Sequence, residues 1–337
     1  MSVVLVVLLY FAGNIIFPFL FALFFAFALL RPVRWLEKIG IPRFISALII
    51  TLLGAIILAL LVTFVVFEGY QLIDKLQISS QTGELESIKL PVNWVEKNLL
   101  NGKEIDADNL KMISSKLFSY AGGFFQSIFS KTTSTLIFFG IVPIYVVLLL
   151  SYRGNVRMYL EEKLQKRGFE KGKEIIEEIT HMVQNYLIGL SFIILIVGVL
   201  YGLGLYFIGV KYALFLAIIS ALLIVIPYIG SILGAVIPIS IAWLTTDGWL
   251  APLLVLALYV FVQVLEGYLL TPVIVGKTVK LNPLVVIIGM IILGTIGGII
   301  AMIIAVPILA TIKILLKHSE RYGAVAILLG NGEQTNV

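Results

Sequence analysis

The sequence predicts an all-α polytopic membrane protein of about six to eight membrane segments. Two of these are expected to be re-entrant helical hairpins in an inverted repeat, with amphipathic extramembrane helices attached. Three observations predict this class. First, 60% of the 337 residues are hydrophobic and only 13% are charged, against roughly 25% charged in soluble domains. Mean hydropathy is +1.09, and several apolar runs exceed the ~20 residues that cross a ~30 Å hydrocarbon core. Second, Lys and Arg gather in segments that flank those runs, the pattern that orients a membrane protein. Third, two apolar blocks carry Pro and Gly near mid-length. The stretch "IPYIGSILGAVIPISIA" (Ile226–Ala242) is the clearest case, and a span that only anchors a protein has no use for such breaks.

In chain order, Val3–Leu30 is apolar but holds Asn14 and Pro18, so it is one kinked span or two short helices. It has no small-residue cleavage site and reads as membrane structure rather than a signal peptide. Residues 31–43, "RPVRWLEKIGIPR", carry four basic residues against one acid. Phe44–Phe67 is a clean span that completes an N-terminal membrane region, 1–67. Residues 68–131 are polar, nearly charge-balanced and broken by Gly, Pro and Asn. They predict an extracytoplasmic region of amphipathic helices lying partly on the bilayer. Residues 132–152 form a further span with Pro143 inside it. Residues 153–183 hold seven Lys or Arg, with Leu160, Leu164, Ile175, Ile176, Ile179 and Met182 as an apolar stripe at helical spacing. This predicts a cytoplasmic amphipathic helix that packs on its own bundle or on neighbouring subunits. Its charge is mixed and no aromatics interleave with the basic residues, which argues against nucleic acid as a partner. Four apolar blocks follow: Tyr186–Ile208, Tyr212–Thr245, Leu250–Val275 and Leu281–Leu316. They make a core over 184–316 in two halves, 184–245 and 250–316, before a polar tail, 317–337.

Charge parity sets the topology. The basic segments 31–43, 153–183, 276–280 and 313–321 are expected on the cytoplasmic face. Tyr186–Ile208 then runs outward, and Leu250–Val275 must return to place Lys277 and Lys280 inside. Tyr212–Thr245 therefore enters and leaves on the outer side, and Leu281–Leu316 on the inner side. Each reads as a re-entrant hairpin with breakers near its middle, in preference to two ordinary spans of about 16 residues. The blocks also resemble each other. "IGSILGAVIPISIA" (Ile229–Ala242) matches "IGGIIAMIIAVPILA" (Ile296–Ala310) with one net insertion, pairing Gly230 with Gly297 and Pro238 with Pro307. Upstream, Gly209 pairs with Gly276 at the same offset. A repeat whose halves enter from opposite sides is the pattern of secondary transporters with a site between broken helices.

Few residues inside the apolar blocks carry chemistry. Gln263 and Glu266 lie three apart on one helix face, and Glu266 is the only acid in the last four blocks. An ionised carboxylate at mid-membrane costs ~2.5–3.5 kcal/mol on insertion scales, so Glu266 is expected to be protonated, paired or facing water. It is either a substrate or proton site or a structural clamp to a hairpin tip. Tyr228 and Ser231 sit at the first tip with Pro227, Gly230, Gly234 and Pro238 around them. Thr295 sits at the second with Gly294, Gly297, Gly298 and Pro307. Asn282 and Pro283 make a sensible helix start for the second hairpin, with Asn282 as a cap rather than a ligand. Gly276 and Lys277 mark its cytoplasmic mouth; Lys277 either marks that face, the favoured reading, or reaches a substrate.

Enzyme classes are poorly served. The chain has no cysteine, which excludes thiolate nucleophiles, disulfides and cysteine metal sites. Its two histidines, His181 and His318, lie in charged flanks, so no span supplies a metal motif or a base for a serine nucleophile. No catalytic residue, metal or cofactor is expected. The partners expected are the bilayer, a small-molecule or ion substrate and further copies of the chain.

"IPYIGSILGAVIPISIAW" followed by "QVLEGYLLTPVIVGKTVKLNPLVVIIGMIILGTIGGIIAMIIAVPILATIKILL" resembles the autoinducer-2 exporter family of membrane permeases. "LRPVRWLEKIGIPRFISAL" and "NYLIGLSFIILIVGVLYGLGLYFIGVKYAL" resemble it too, so the likeness spans nearly the whole chain. The resemblance implies a secondary transporter of the cell membrane with an elevator-like or rocking core. It also implies a homo-oligomer, with a pentamer favoured. Family members include exporters of the furanone autoinducer-2 and proteins similar to sodium or lithium/proton antiporters. A passive channel or a membrane scaffold is the remaining alternative.

Overall fold

A computed structural model of the chain describes residues 2–81, 132–166, 171–246, 248–275, 279–319 and 323–330, with side chains for all of these except 2–15, 73–81, 132–139 and 244. Most of the region 68–131, expected to be extracytoplasmic, falls outside them, as do Gly276, Lys277 and the end of the tail. The described residues are almost wholly helical: α1 (Ser2–Lys38), α2 (Arg43–Gln81), α3 (Thr132–Ser151), α4 (Arg153–Lys166), α5 (Gly172–Ile208), α6 (Ala213–Leu223), α7 (Ile229–Thr245) and α8 (Leu250–Leu265). A π-helical segment (Glu266–Val275), α9 (Pro283–Lys317) and α10 (Gly323–Leu329) complete them.

Among the described residues, five stretches are long and apolar enough to cross a membrane: Ile16–Lys38, Arg43–Leu72, Gly172–Ile208, Leu250–Val275 and Pro283–Lys317. Their apolar side chains are largely not in a core. Along α2, Leu53, Ile57, Leu60 and Phe67 are all more than half exposed. A continuous outward apolar face of this kind is tolerable only against hydrocarbon or another protein. The chain is a multi-pass membrane protein.

Of the two forms left open for the N-terminal stretch, the structure has the single helix, with Pro18 and Pro32 inside it. Other elements differ from the sequence reading. The boundary drawn at residue 68 falls inside α2, which runs on to Gln81. Residues 153–183 are not one amphipathic helix but two elements, α4 and the start of α5. Gly172 is the reason they pack closely. A Cβ there would stand 3.1 Å from both the Glu161 carbonyl oxygen and Leu164 Cβ. Ile175 and Met182 of the expected stripe are buried, whereas Leu160 is exposed.

The described chain forms two compact units. The first comprises Met1–Leu58, Leu136–Phe192 and Leu270–Val337. One of its cores joins Ala22, Ala26, Leu30 and Val33 of α1 to Ala47 of α2 and Val142, Val146 and Leu150 of α3. The other joins Ile175, Met182, Tyr186 and Leu187 of α5 to Val286, Met290, Ala305, Ala310 and Ile314 of α9. Ion pairs tie the flanks of this unit together. Arg153 forks onto both Glu37 oxygens. Arg157 reaches Glu161 at 2.7 Å and Glu177 at 2.6 Å, which raises its pKa above the usual guanidinium value, through the Glu161 bond first and the Glu177 bond second. Glu178 takes Lys317 at 3.3 Å and His318 at 3.5 Å. The basic flanks thus bind elements of this unit together.

The second unit comprises Ala59–Thr135 and Ile193–Leu269. Here α6 runs back along α5 through small residues. A Cβ on Gly198 would stand 3.3 Å from the Ala221 Cβ, and one on Gly202 3.6 Å from the Ala217 Cβ. Backbones approach this closely only where both faces are small, the packing device of membrane helices. The α7 helix packs on α6 and on α8.

Candidate functional site

Both broken blocks are helical hairpins. In the first, α6 and α7 face each other across Pro227. Ser220 bonds Gly234, and Gly230 lies against the Leu223 carbonyl so closely that a Cβ has no room. An 11-residue α6 rises only about 16 Å, too short to cross a bilayer alone. The chain reverses at Tyr228, whose φ of 64° and ψ of −53° are those of the rare, strained γ-turn. The Ile229 amide closes that turn by donating to the Pro227 carbonyl at 2.7 Å.

The second block is one continuous run, α9, that doubles back at Gly298, where φ is 64° and ψ is −154°. Side chains make this region essentially inaccessible, so glycine is required. The reversal is visible in the packing. Residues 289 and 309 would be about 30 Å apart on a straight helix, yet a Cβ on Gly289 would meet Leu309 Cδ1 at 2.6 Å. Gly294 likewise sits against Met302. The repeat-matched glycines share a role: Gly230 makes room for a backbone carbonyl and Gly297 for the Phe17 ring. At the start of α9, Asn282 Oδ1 accepts the Leu284 amide at 3.0 Å, with Pro283 at the first helical position.

Gln263 and Glu266 are brought together. Gln263 Nε2 donates to Glu266 Oε2 at 2.9 Å, at an exposed position. Glu266 begins the π-helical segment. Pro272 lies inside that segment; its ring clashes with a normal α-turn and it carries no N–H. Widening the turn relieves the clash, and such π segments recur at functional sites. Tyr228 and Ser231 also meet, the Ser231 hydroxyl donating to the Tyr228 carbonyl at 3.0 Å. These four residues belong to the second unit. Thr295 belongs to the first, and its hydroxyl donates to the Ile292 carbonyl at 2.7 Å within its own helix.

Sequence reasoning passed over Ser220, Tyr259 and Tyr201. Ser220 is 1% exposed, and its hydroxyl donates to the Gly234 carbonyl at 2.7 Å. With its proton so used, it accepts from the Tyr259 hydroxyl at 2.7 Å. The Tyr259 ring stacks on Tyr201 with centroids 4.1 Å apart and planes 15° apart. A signal existed in Pro238. A proline leaves the carbonyl four residues earlier without its usual amide donor, and here that carbonyl is Gly234.

Apolar spans and two broken helical hairpins make the chain a polytopic membrane protein in class. The comparisons name the group: the chain belongs to the AI-2E family, whose sequence model, described as AI-2E family transporter, matches residues 1–321. The chain is 28% identical to YrrI of Bacillus subtilis (strain 168) over 321 residues, 91% of this chain and 87% of that one. It is 30% identical to YueF of the same organism over 319 residues, 90% and 84% of the two chains. It is 26% identical to the AI-2 transport protein TqsA of Escherichia coli (strain K12) over 331 residues, 95% and 91% of the two.

Proposed function

We propose that the protein is a secondary transporter of the cell membrane that exports a small polar solute similar to autoinducer-2, by an elevator-like or rocking alternating-access mechanism. The observation that carries this reading is the Gln263–Glu266 pair, a carboxylate and an amide bonded to each other at the start of a π-helical segment within an apolar span. Polar groups in such a place are costly and usually functional. The pair offers one charge and several hydrogen-bonding groups, the chemistry that binds a hydroxyl-rich solute or a cation. Tyr228 and Ser231 are proposed to line the same path, and Thr295 to take the equivalent role in the first unit. The printed name of TqsA supports the choice of solute. The two hairpins are proposed to be re-entrant, entering the membrane from opposite sides as an inverted repeat; the shortness of α6 and the reversal at Gly298 support this. The protein is proposed to work as a homo-oligomer, with a pentamer favoured by the family resemblance; its outward apolar faces leave room for such contacts.

A sodium or lithium/proton antiporter is the second reading, favoured by Glu266 being the one acid in the core blocks. Transport into proteoliposomes tests both. Accumulation of labelled furanone without sodium or lithium flux supports export. Sodium or lithium flux driven by a pH gradient, with no furanone movement, supports the antiporter. Ion conduction that follows voltage without coupling contradicts both.

A further inference from the structure

Ser220 joins three helices through one hydroxyl. It stands on α6, donates to the Gly234 carbonyl of α7, and accepts from Tyr259 of α8. Each of these bonds has a reason. The Gly234 carbonyl would ordinarily be bonded by the amide of residue 238, but that residue is Pro238 and has no N–H. A buried carbonyl left without a donor is costly, and the Ser220 hydroxyl fills the gap. Tyr259 lies one turn before Gln263 and two turns before Glu266 on the same stripe of α8 and its continuation. Both Ser220 and Tyr259 are almost fully buried, and the stacked Tyr201 ring leaves Tyr259 little freedom to turn.

We propose that Ser220 is a positioning residue that holds the Tyr228–Ser231 tip and the Gln263–Glu266 pair in one rigid frame. It does so by replacing the amide that Pro238 lacks and by fastening to Tyr259. The functional part of this inference rests on reading those four residues as the transport path. The break at Pro238 lets α7 depart from a straight helix, and Ser220 fixes how far it departs. The hairpin and the polar pair then move as one body, and the geometry of the path is the same throughout a transport cycle.

The chain contains no cysteine, so two introduced cysteines give clean spin labels. Ile232 is 66% exposed beside the tip and Tyr268 is 84% exposed beside the pair. Ile232→Cys and Tyr268→Cys are labelled, and their distance distribution is measured by pulsed electron paramagnetic resonance on the folded, detergent-solubilised protein. A narrow distribution is expected, and it broadens on adding Ser220→Ala or Tyr259→Phe. The second variant keeps the stacked ring and removes only the hydroxyl. Distributions of unchanged width in both variants overturn the proposal. The stand-in for the proline amide is read separately from unfolding midpoints. Ser220→Ala lowers the midpoint in the wild-type background and lowers it much less beside Pro238→Ala, which restores an amide for Gly234. An equal loss in both backgrounds overturns that part. Neither measurement needs a substrate. A frame that behaves as proposed alongside normal transport in Glu266→Gln would leave Ser220's role in place and remove the path reading instead.

Discussion

Gly230→Ala is expected to be among the most damaging single-methyl additions in the second unit. The new Cβ would fall on the Leu223 carbonyl, and the atoms it meets are backbone. No rotamer change relieves the overlap, so the mouth of the turn must spread. Overpacking commonly costs ~1–3 kcal/mol, and an unyielding backbone neighbour places this change at the top of that range. Spreading also stretches two bonds that close the hairpin, Gly230 N–H to the Ile226 carbonyl at 2.9 Å and Ser220 to Gly234 at 2.7 Å, each worth roughly 1 kcal/mol. The total is about 3–5 kcal/mol, a large part of the ~5–15 kcal/mol that separates folded from unfolded in a typical domain. Gly297→Ala is the internal control. It also adds a methyl where there is no space, but its neighbour is the Phe17 ring, which can rotate away at about 1 kcal/mol. Unfolding midpoints in one detergent, measured side by side, should fall far more for Gly230→Ala than for Gly297→Ala. Equal midpoints for the two variants would refute the hairpin geometry at Tyr228.

Gly298→Ala forces a side chain into a backbone region that is nearly glycine-only and should cost ~1–3 kcal/mol, seen as a lower midpoint and faster proteolysis near the second tip; a midpoint at the wild-type value would count against the reversal there. Single cysteines at Lys211 and Gly248 should react with a membrane-impermeant reagent from the same side of the membrane, and labelling from opposite sides would rule out re-entry of the first hairpin. Native mass spectrometry in mild detergent should give a homo-oligomer; a monomer that retains transport would exclude the proposed assembly.

The sequence exposes what the membrane itself enforces. Apolar run length, basic flanks and mid-block prolines are read by a solvent that tolerates few alternatives, which is why Leu250–Val275 matches α8 and its π extension residue for residue. The break between α4 and α5 was harder to see because the apolar stripe keeps its period through Gly168 and Gly172, and only the close approach at Gly172 shows that the chain turns there. Ser220 could not be singled out, since a lone serine in an apolar helix usually bonds its own preceding turn, as Ser240 does with the Val236 carbonyl. Its long-range role depends on a carbonyl left free fourteen residues later, a fact of packing. Gly298 was one of several glycines near the second tip, and only its backbone angles distinguish it.

Glu266 is where the account is most directly tested. Glu266→Gln keeps the shape of the side chain and a hydrogen bond with Gln263, and removes the charge and the exchangeable carboxyl proton. Flux of labelled furanone, sodium and lithium is measured in proteoliposomes, from mildly acidic to mildly alkaline pH, beside the wild-type protein. The account predicts flux that is abolished or no longer coupled to the pH gradient, with expression and assembly intact. Flux equal to wild type across that pH range would contradict it and leave Glu266 a structural clamp.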